Sequence, residues 1–232
     1  MANYLIIGGS SGIGKALTSL LSEEGETVYA TYNKQVTEPT TSSVHFHYLN
    51  VLDDEFSLDF LPEDLSGVVY CPGSINLKPF ERMKPTEFLE DFTLQVLGAV
   101  KVIQAVIPKL KKSPSASIVL FSTVAVQTGL PYHSLISTSK GAIEGLTRAL
   151  AAELAPKIKV NCIAPSLTDT PLAHSLLNSE QKKEANAQRH PLKRIGTPED
   201  IASMAAFLLS PKASWISGQI FHVDGGMSSL RI

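Results

Sequence analysis

The apolar residues of this chain come in short unbroken runs that end abruptly in glycine, proline, serine or asparagine. Leu5-Ile6-Ile7, Val68-Val69-Tyr70-Cys71 and Ile118-Val119-Leu120-Phe121 are too short for helices and show no polar alternation. Runs of that kind read as strands buried on both faces. Between them, apolar residues recur at helical spacing. Ile13, Leu17, Leu20 and Leu21 share one face of a first helix. Phe88, Phe92, Val96, Ala99, Val100 and Ile103 share the core face of a long helix predicted over 85–111.

The other boundaries follow from punctuation. Thr27 to Tyr32 reads as a second strand after a helix stop at Gly25, and Val44 to Leu49 as a third, closed by Asn50-Val51. Residues 34–43 are expected as a polar loop and Asp53 to Leu61 as a short helix. Gly67 to Cys71 and Ser117 to Thr123 are further strands, and Ser134 to Leu154 is a helix stopped near Pro156. Ile158 to Ala164 is a strand, and residues 172–189 form a polar, helix-prone excursion. Thr197 caps a helix that carries Pro198, Glu199 and Asp200 in its first turn and runs to Leu209. Gln219 to Val223 is the last strand. Strand and helix alternate about seven times, the pattern of an α/β, Rossmann-type, doubly wound parallel sheet with helices on both faces. No linker, repeat or low-complexity tract interrupts it, so residues 1–232 are expected to form a single nucleotide-binding domain.

Composition narrows the partners. Hydrophobic residues are 44% and charged residues 18%, a sparing surface that points to self-association. The net charge of -2 supplies no basic patch for nucleic acid. Cys71 and Cys162 stand far apart without metal spacing, and His45 and His47 lack an acidic pair, so no metal site is expected. The thiols suit a reducing compartment, no unbroken apolar run of membrane-spanning length occurs, and the protein is expected in the cytoplasm, off the membrane.

Candidate chemistry begins where the first strand breaks into Gly8-Gly9-Ser10-Ser11-Gly12-Ile13-Gly14. Glycines in a strand-to-helix turn let the backbone approach a pyrophosphate, and the helix N-terminus offers amides and a positive dipole end. At the end of the second strand, an acid would bind the adenine ribose hydroxyls and repel a 2′-phosphate. Here Asn33 and Lys34 stand there instead, with no acid until Glu38, which favours NADP(H) over NAD(H) unless Lys34 is simply a solvated loop lysine.

Taken in register, these stretches resemble the short-chain dehydrogenase/reductase family, classical branch, along nearly the whole chain. Ile7 to Gly14 is similar to the family's glycine-rich loop, and Asn50-Val51 to its adenine-contacting Asp-Val. Tyr70-Cys71-Pro72-Gly73 falls where Asn-Asn-Ala-Gly is usual, and Pro165-Ser166-Leu167-Thr168-Asp169-Thr170 resembles the Pro-Gly segment flanking the nicotinamide. Arg194 to Ala202, Ser217 to Ile220 and Val223 to Gly226 resemble the family's C-terminal run. The resemblance implies nicotinamide cofactor contacts at Gly8, Ser10, Ser11, Gly12, Ile13, Gly14, Asn33, Lys34, Asn50, Val51, Gly73, Lys140, Pro165, Thr168 and Thr170. It also implies a small-molecule substrate and a homodimer or homotetramer built on helices 85–111 and 134–154.

The family's catalytic set is Asn, Ser, Tyr and Lys. Aligned on Lys140, which would anchor the nicotinamide ribose, the tyrosine position holds Ile136, the serine position Thr123 and the asparagine position Gln95. Isoleucine neither donates nor accepts a proton. His133, two turns before Lys140 on the same face, and Tyr132 beside it are the candidate replacement acids, or else loop residues without a chemical role. Two readings stay open. One is an oxidoreductase that transfers hydride to a small carbonyl or activated C=C with a modified proton donor. The other is a catalytically silent nucleotide-binding protein, a sensor or a hetero-oligomer subunit. Cys71 is read as a core residue, His174 and His190 as surface residues of the excursion or else parts of a lid over the substrate, and Trp215 as packed in the C-terminal turn.

Overall fold

In the computed structural model, which describes residues 1–34, 38–39 and 41–231, one parallel sheet carries the strand order β3-β2-β1-β4-β5-β6-β7. Its strands are β1 (Asn3–Ile7), β2 (Thr27–Tyr32), β3 (Val44–Tyr48), β4 (Gly67–Tyr70), β5 (Ala116–Phe121), β6 (Ile158–Pro165) and β7 (Ile220–Val223). The helices are α1 (Gly12–Glu23), α2 (Pro85–Phe92), α3 (Gly98–Leu110), α4 (Ala125–Thr128), α5 (Ser134–Leu154), α6 (His174–Leu177), α7 (Glu180–Gln188) and α8 (Pro198–Leu209). The doubly wound architecture expected from the sequence is the one observed.

Successive strand residues point to opposite faces, and both faces are covered. Leu5, Ile7, Val68, Ile118, Leu120 and Val160 pack with Ala99, Val102, Val106 and Ile143 of α3 and α5. Tyr4, Ile6, Val28, Val69, Val119 and Ile163 pack with Leu17 and Leu21 of α1 and with Ile201, Ala205 and Leu208 of α8. This two-sided burial explains the absence of polar alternation. It also removes the faces of the sheet as sites of chemistry. β1 pairs with β2 on one side and β4 on the other, so the winding reverses there and a crevice opens at the strands' carboxyl ends.

The long helix predicted over 85–111 is continuous over Pro85–Leu110, and its apolar length would suffice to cross a membrane. Val96, Ala99, Val102, Ile103, Val106 and Leu110 are instead buried against the sheet as a core face. Between α2 and α3 it widens into a π turn, Thr93–Leu97, a feature common at functional positions. The Tyr70 hydroxyl, at the end of β4, donates to the Leu94 carbonyl in that turn at 2.6 Å. Burial pushes the Tyr70 pKa up and keeps it a donor. Gln95 in the same turn is only 1% exposed.

Three expectations fail. Residues 53–61 form turns, not a helix. Phe56, Leu58, Phe60 and Leu61 all pack on the core, a spacing that no single helical face provides, and the Asn50 side chain starts a turn by accepting from Leu52 N and donating to Asp53. Trp215 is 99% exposed because Ala213 and Ile216 take the inward positions of its turn. His190 is buried, at 3% exposure, under the excursion and not on its surface. The excursion itself is helical, split by a cap at Ser179 whose side chain accepts from Lys182 N. Of the loop expected over 34–43, residues 35–37 and 40 lie outside the described residues.

The Tyr70–Leu94 bond ties the end of β4 to the turn that carries Gln95. Tyr70→Phe removes it and leaves a buried carbonyl one partner short. We expect a loss of roughly 1–3 kcal/mol in urea denaturation; an unchanged midpoint would show that the turn stands without the bond.

Candidate active site

A cavity of about 740 Å³ occupies the crevice. Its wall at one end is the loop between β1 and α1: Gly8, Ser10, Ser11, Gly12, Ile13 and Gly14 all line it. Gly8 and Gly12 have φ of 76° and 50°, the left-handed region that glycine enters without strain. A side chain at Gly14 would collide with the Gly8 carbonyl, so only glycine lets α1 start this close to the loop. Ser11, the extended N-cap residue of α1, makes no side-chain cap, which leaves the first-turn amides to a ligand. The Gly8 amide donates to Thr31 Oγ1 at 3.0 Å, fixing the loop to β2. A glycine-floored turn opening onto an uncapped helix N-terminus fits a dinucleotide pyrophosphate.

Beyond β2, Asn33 and Lys34 are exposed and line the same cavity. Glu38 lines a separate hollow with Tyr32 and Val44, so no carboxylate from that segment reaches the main cavity. Val51 lines the cavity, whereas Asn50 does not, its amide being held by Asp53 at 2.6 Å. Pro165, Thr168 and Thr170, after β6, complete the wall, with Thr170 over Gly12.

At the other end, the structure brings Gly73, Gln95, Thr123, His133, Ile136 and Lys140 to one cavity and leaves out Tyr132. Tyr132 precedes α5, has φ of 68° and is 59% exposed. α5 starts at Ser134 with His133 as N-cap, which leaves Tyr132 ahead of the helix and off the cavity wall, so it is not the replacement acid. His133 Nδ1 lies 2.7 Å from the Pro131 carbonyl. Ile136 is 7% exposed and buried at the wall one turn before Lys140.

Gln95 is held by a charge. Its Nε2 is 2.8 Å from each oxygen of buried Asp91, which also accepts from Ser74. That fixes the amide and leaves Oε1 buried without a partner among the described residues. A Cβ at Gly73 would sit 3.4 Å from this oxygen and 3.9 Å from Lys140 Nζ, so both groups approach the Gly73 backbone. Burial pushes the Lys140 ammonium down to about 8, with the Cys162 thiol and the Asp91 carboxylate pulling the other way. Cys71 also lines the cavity, and burial raises its thiol to about 12, so it stays protonated.

The excursion roofs the cavity with Leu172, Leu176, Asn186, Arg189 and His190. His190 Nε2 is 2.8 Å from Ser166 Oγ, and Nδ1 is 2.8 Å from the Asn186 carbonyl. Asp91 and the Ser166–His190 pair escaped the sequence reading. The only signal was Ser166 itself, a hydroxyl where the resemblance has glycine.

A family model described as enoyl-(acyl carrier protein) reductase matches residues 8–228. The chain is 33% identical over 242 residues to 3-oxoacyl-[acyl-carrier-protein] reductase FabG of Thermotoga maritima, covering 96% of each. The chain belongs to the short-chain dehydrogenase/reductase family. It is 31% identical to human dehydrogenase/reductase SDR family member 4, covering 97% of this chain and 87% of that one. Among solved structures, a short chain dehydrogenase family protein from Francisella tularensis superposes with a TM-score of 0.91 at 27% identity, covering 99% of this chain and 100% of that chain. ElxO with NADP bound gives 0.90 at 27% identity, covering 99% and 100%. Short-chain family membership makes this an oxidoreductase fold of the NAD(P)-dependent class.

Lys140 supplies a pH signature. Folded, it titrates at about 8; unfolded, a lysine titrates near ~10.4. Between those values the unfolded chain binds the extra proton, so stability gains from rising pH in that window, and below about 8 the buried ammonium carries its full cost. Comparing native protein with Lys140→Met by urea denaturation at neutral and alkaline pH should show the variant's advantage shrinking as pH rises. A constant difference would mean the ammonium is not desolvated.

Proposed function

We propose that the protein is an NADP(H)-dependent reductase that delivers hydride to a small carbonyl or activated C=C substrate, with a proton donor other than residue 136. The observation that carries this reading is the continuity of one cavity from the glycine loop to buried Lys140. When bound, the nicotinamide supplies the hydride. The first-turn amides of α1 would take the pyrophosphate and Lys34 the 2′-phosphate, with Asn33 and Val51 flanking the adenosine; Asn50, held by Asp53 and off the cavity wall, takes no part. Lys140 would hold the nicotinamide ribose, and Pro165, Thr168 and Thr170 the ring's amide side. Thr123 keeps a hydroxyl whose oxygen accepts weakly from Ala125 N at 3.4 Å, leaving its hydrogen for a substrate. Gln95 offers an acceptor. Relatives named as reductases and a neighbour holding NADP support the reading.

The silent-protein reading is favoured by one observation, that Ile136 stands on the cavity wall where the family's tyrosine is expected. Ile136→Tyr separates the two: activity confined to the variant would make the native protein a nucleotide-binding relic.

For assembly we propose a homodimer or homotetramer. Gly145, Ala149 and Ala152 form an exposed small-residue stripe on α5, and a Cβ on Gly145 would meet nothing, so a second copy can approach closely. Leu89 and Leu97 are exposed on the neighbouring long helix. Two unpaired thiols, Cys71 and Cys162, suit the cytoplasm as its location.

Titration of the purified protein with NADPH and NADH tests the core of the proposal. NADPH should bind more tightly, and Lys34→Glu should weaken NADPH while sparing NADH. A preference for NADH would remove the role given to Lys34. No binding of either by folded protein would remove the reductase.

A further inference from the structure

We propose that Ser166 delivers the proton that residue 136 cannot, and that His190 supplies it to Ser166. This rests on the reductase reading. Ser166 follows Pro165 at the carboxyl end of β6, and the Val124 amide donates to the Pro165 carbonyl at 3.2 Å. Thr123 and Ser166 therefore end adjacent strands on the same stretch of cavity wall, and both line the cavity.

The hydrogen-bond chain fixes the hydrogens. The Asn186 carbonyl only accepts, so His190 Nδ1, 2.8 Å away, carries a hydrogen. In the neutral ring Nε2 is then an acceptor, and Ser166 Oγ donates to it at 2.8 Å. Met227 Sδ, 3.0 Å from the same oxygen, is a weak acceptor and a packing contact. In the imidazolium form both ring nitrogens donate, Nδ1 to Asn186 and Nε2 to Ser166. The serine hydrogen is then free of Nε2, with only the weak acceptor Met227 Sδ to hold it against a substrate oxygen in the cavity that Ser166 lines. The pair has one arrangement for giving a proton and one for taking it back, and His190, 97% shielded from solvent, is held in both by the same two partners.

In the reductive direction, hydride and its electron pair enter the carbonyl carbon and the C=O π pair moves onto oxygen. That oxygen takes the Ser166 hydrogen as Oγ takes the hydrogen from Nε2, and His190 is left neutral, to be reprotonated from water. For an activated C=C, hydride enters the β-carbon and the enolate oxygen takes the same proton. The substrate gains one hydride and one proton. Oxidation runs the chain backwards with neutral His190 as the base. The same cavity is lined by apolar Leu94, Leu130, Ile136, Leu172 and Leu176, with Asn186 and Arg189 its polar roof residues beside His190. The substrate class is thus a compact apolar ketone, aldehyde or enone whose carbonyl oxygen is its principal polar contact.

The test measures NADPH oxidation with ethyl acetoacetate, cyclohexenone and phenanthrenequinone, alongside NADPH titration as a control for folding and cofactor binding. Ser166→Ala should lower kcat by roughly 10²–10⁴-fold while NADPH still binds, and Ser166→Thr should restore much of it. His190→Ala should fall likewise and recover partly with added imidazole, a recovery that a purely structural histidine would not give. Ser166→Ala with near-native kcat overturns the proposal, and so does His133→Ala abolishing turnover while both Ser166→Ala and His190→Ala retain it. Phosphonylation by a fluorophosphonate probe, in which Ser166 Oγ bonds phosphorus, fluoride leaves and His190 takes the proton, reads the pair without any redox turnover. Labelling of Ser166 that disappears in His190→Ala supports an activated hydroxyl. Native protein that binds NADPH, reduces none of the probes and still labels in this way sinks the reductase reading but not the pair; absence of His190-dependent labelling sinks the pair.

Discussion

Parallel pairing of β1 with both β2 and β4, under helices on each face, is the constraint from which the rest of the molecule follows. A sheet whose two faces are filled with Leu, Ile and Val has no surface left for chemistry. Polar groups can reach a ligand only where strands stop, and the strands all stop at the same end because they are parallel. The glycine loop after β1, Gly73 after β4, Thr123 after β5 and Ser166 after β6 are therefore neighbours in space although they are spread across the sequence. The helices that follow the strands bring Lys140 and Gln95 to the same place from above.

Within that crevice the polar groups are held from behind. Asp91 sets the Gln95 amide, Tyr70 braces the turn that carries it, and Asn186 sets the His190 ring. None of these supports needs to touch a substrate. Buried polar chains of this kind are costly when half satisfied, and here the atom left over, Gln95 Oε1, belongs to a residue of the cavity wall. The unsatisfied end of the chain is where a ligand would complete it.

Legibility in the sequence followed the range of the physics. Strands and long helices were readable because continuous apolar runs, helical spacing and the cap at Thr197 are local. The nucleotide loop was readable because its glycines fall together between a strand and a helix, and Gly14 at least answers to a contact with Gly8 within the loop. The turns over 53–61 were not, because Phe56 to Leu61 follow the shape of the sheet and α3 behind them and not a period of their own. Trp215 was misplaced because which of three adjacent residues turns inward depends on distant partners. His190 looked like one more polar residue of a polar excursion; its meeting with Ser166, 24 positions away, exists only once α7 has folded over β6. Tyr132 and His133 were inseparable until the start of α5 placed one on the cavity and the other outside it.

The outward turn of Trp215 has an optical corollary. It is the chain's one tryptophan, fully in water and off the cavity wall. An indole so exposed is expected to emit as one in water. A blue shift on concentrating the protein would instead register the burial of that corner against another surface. The molecule thus carries a native fluorophore for its own association.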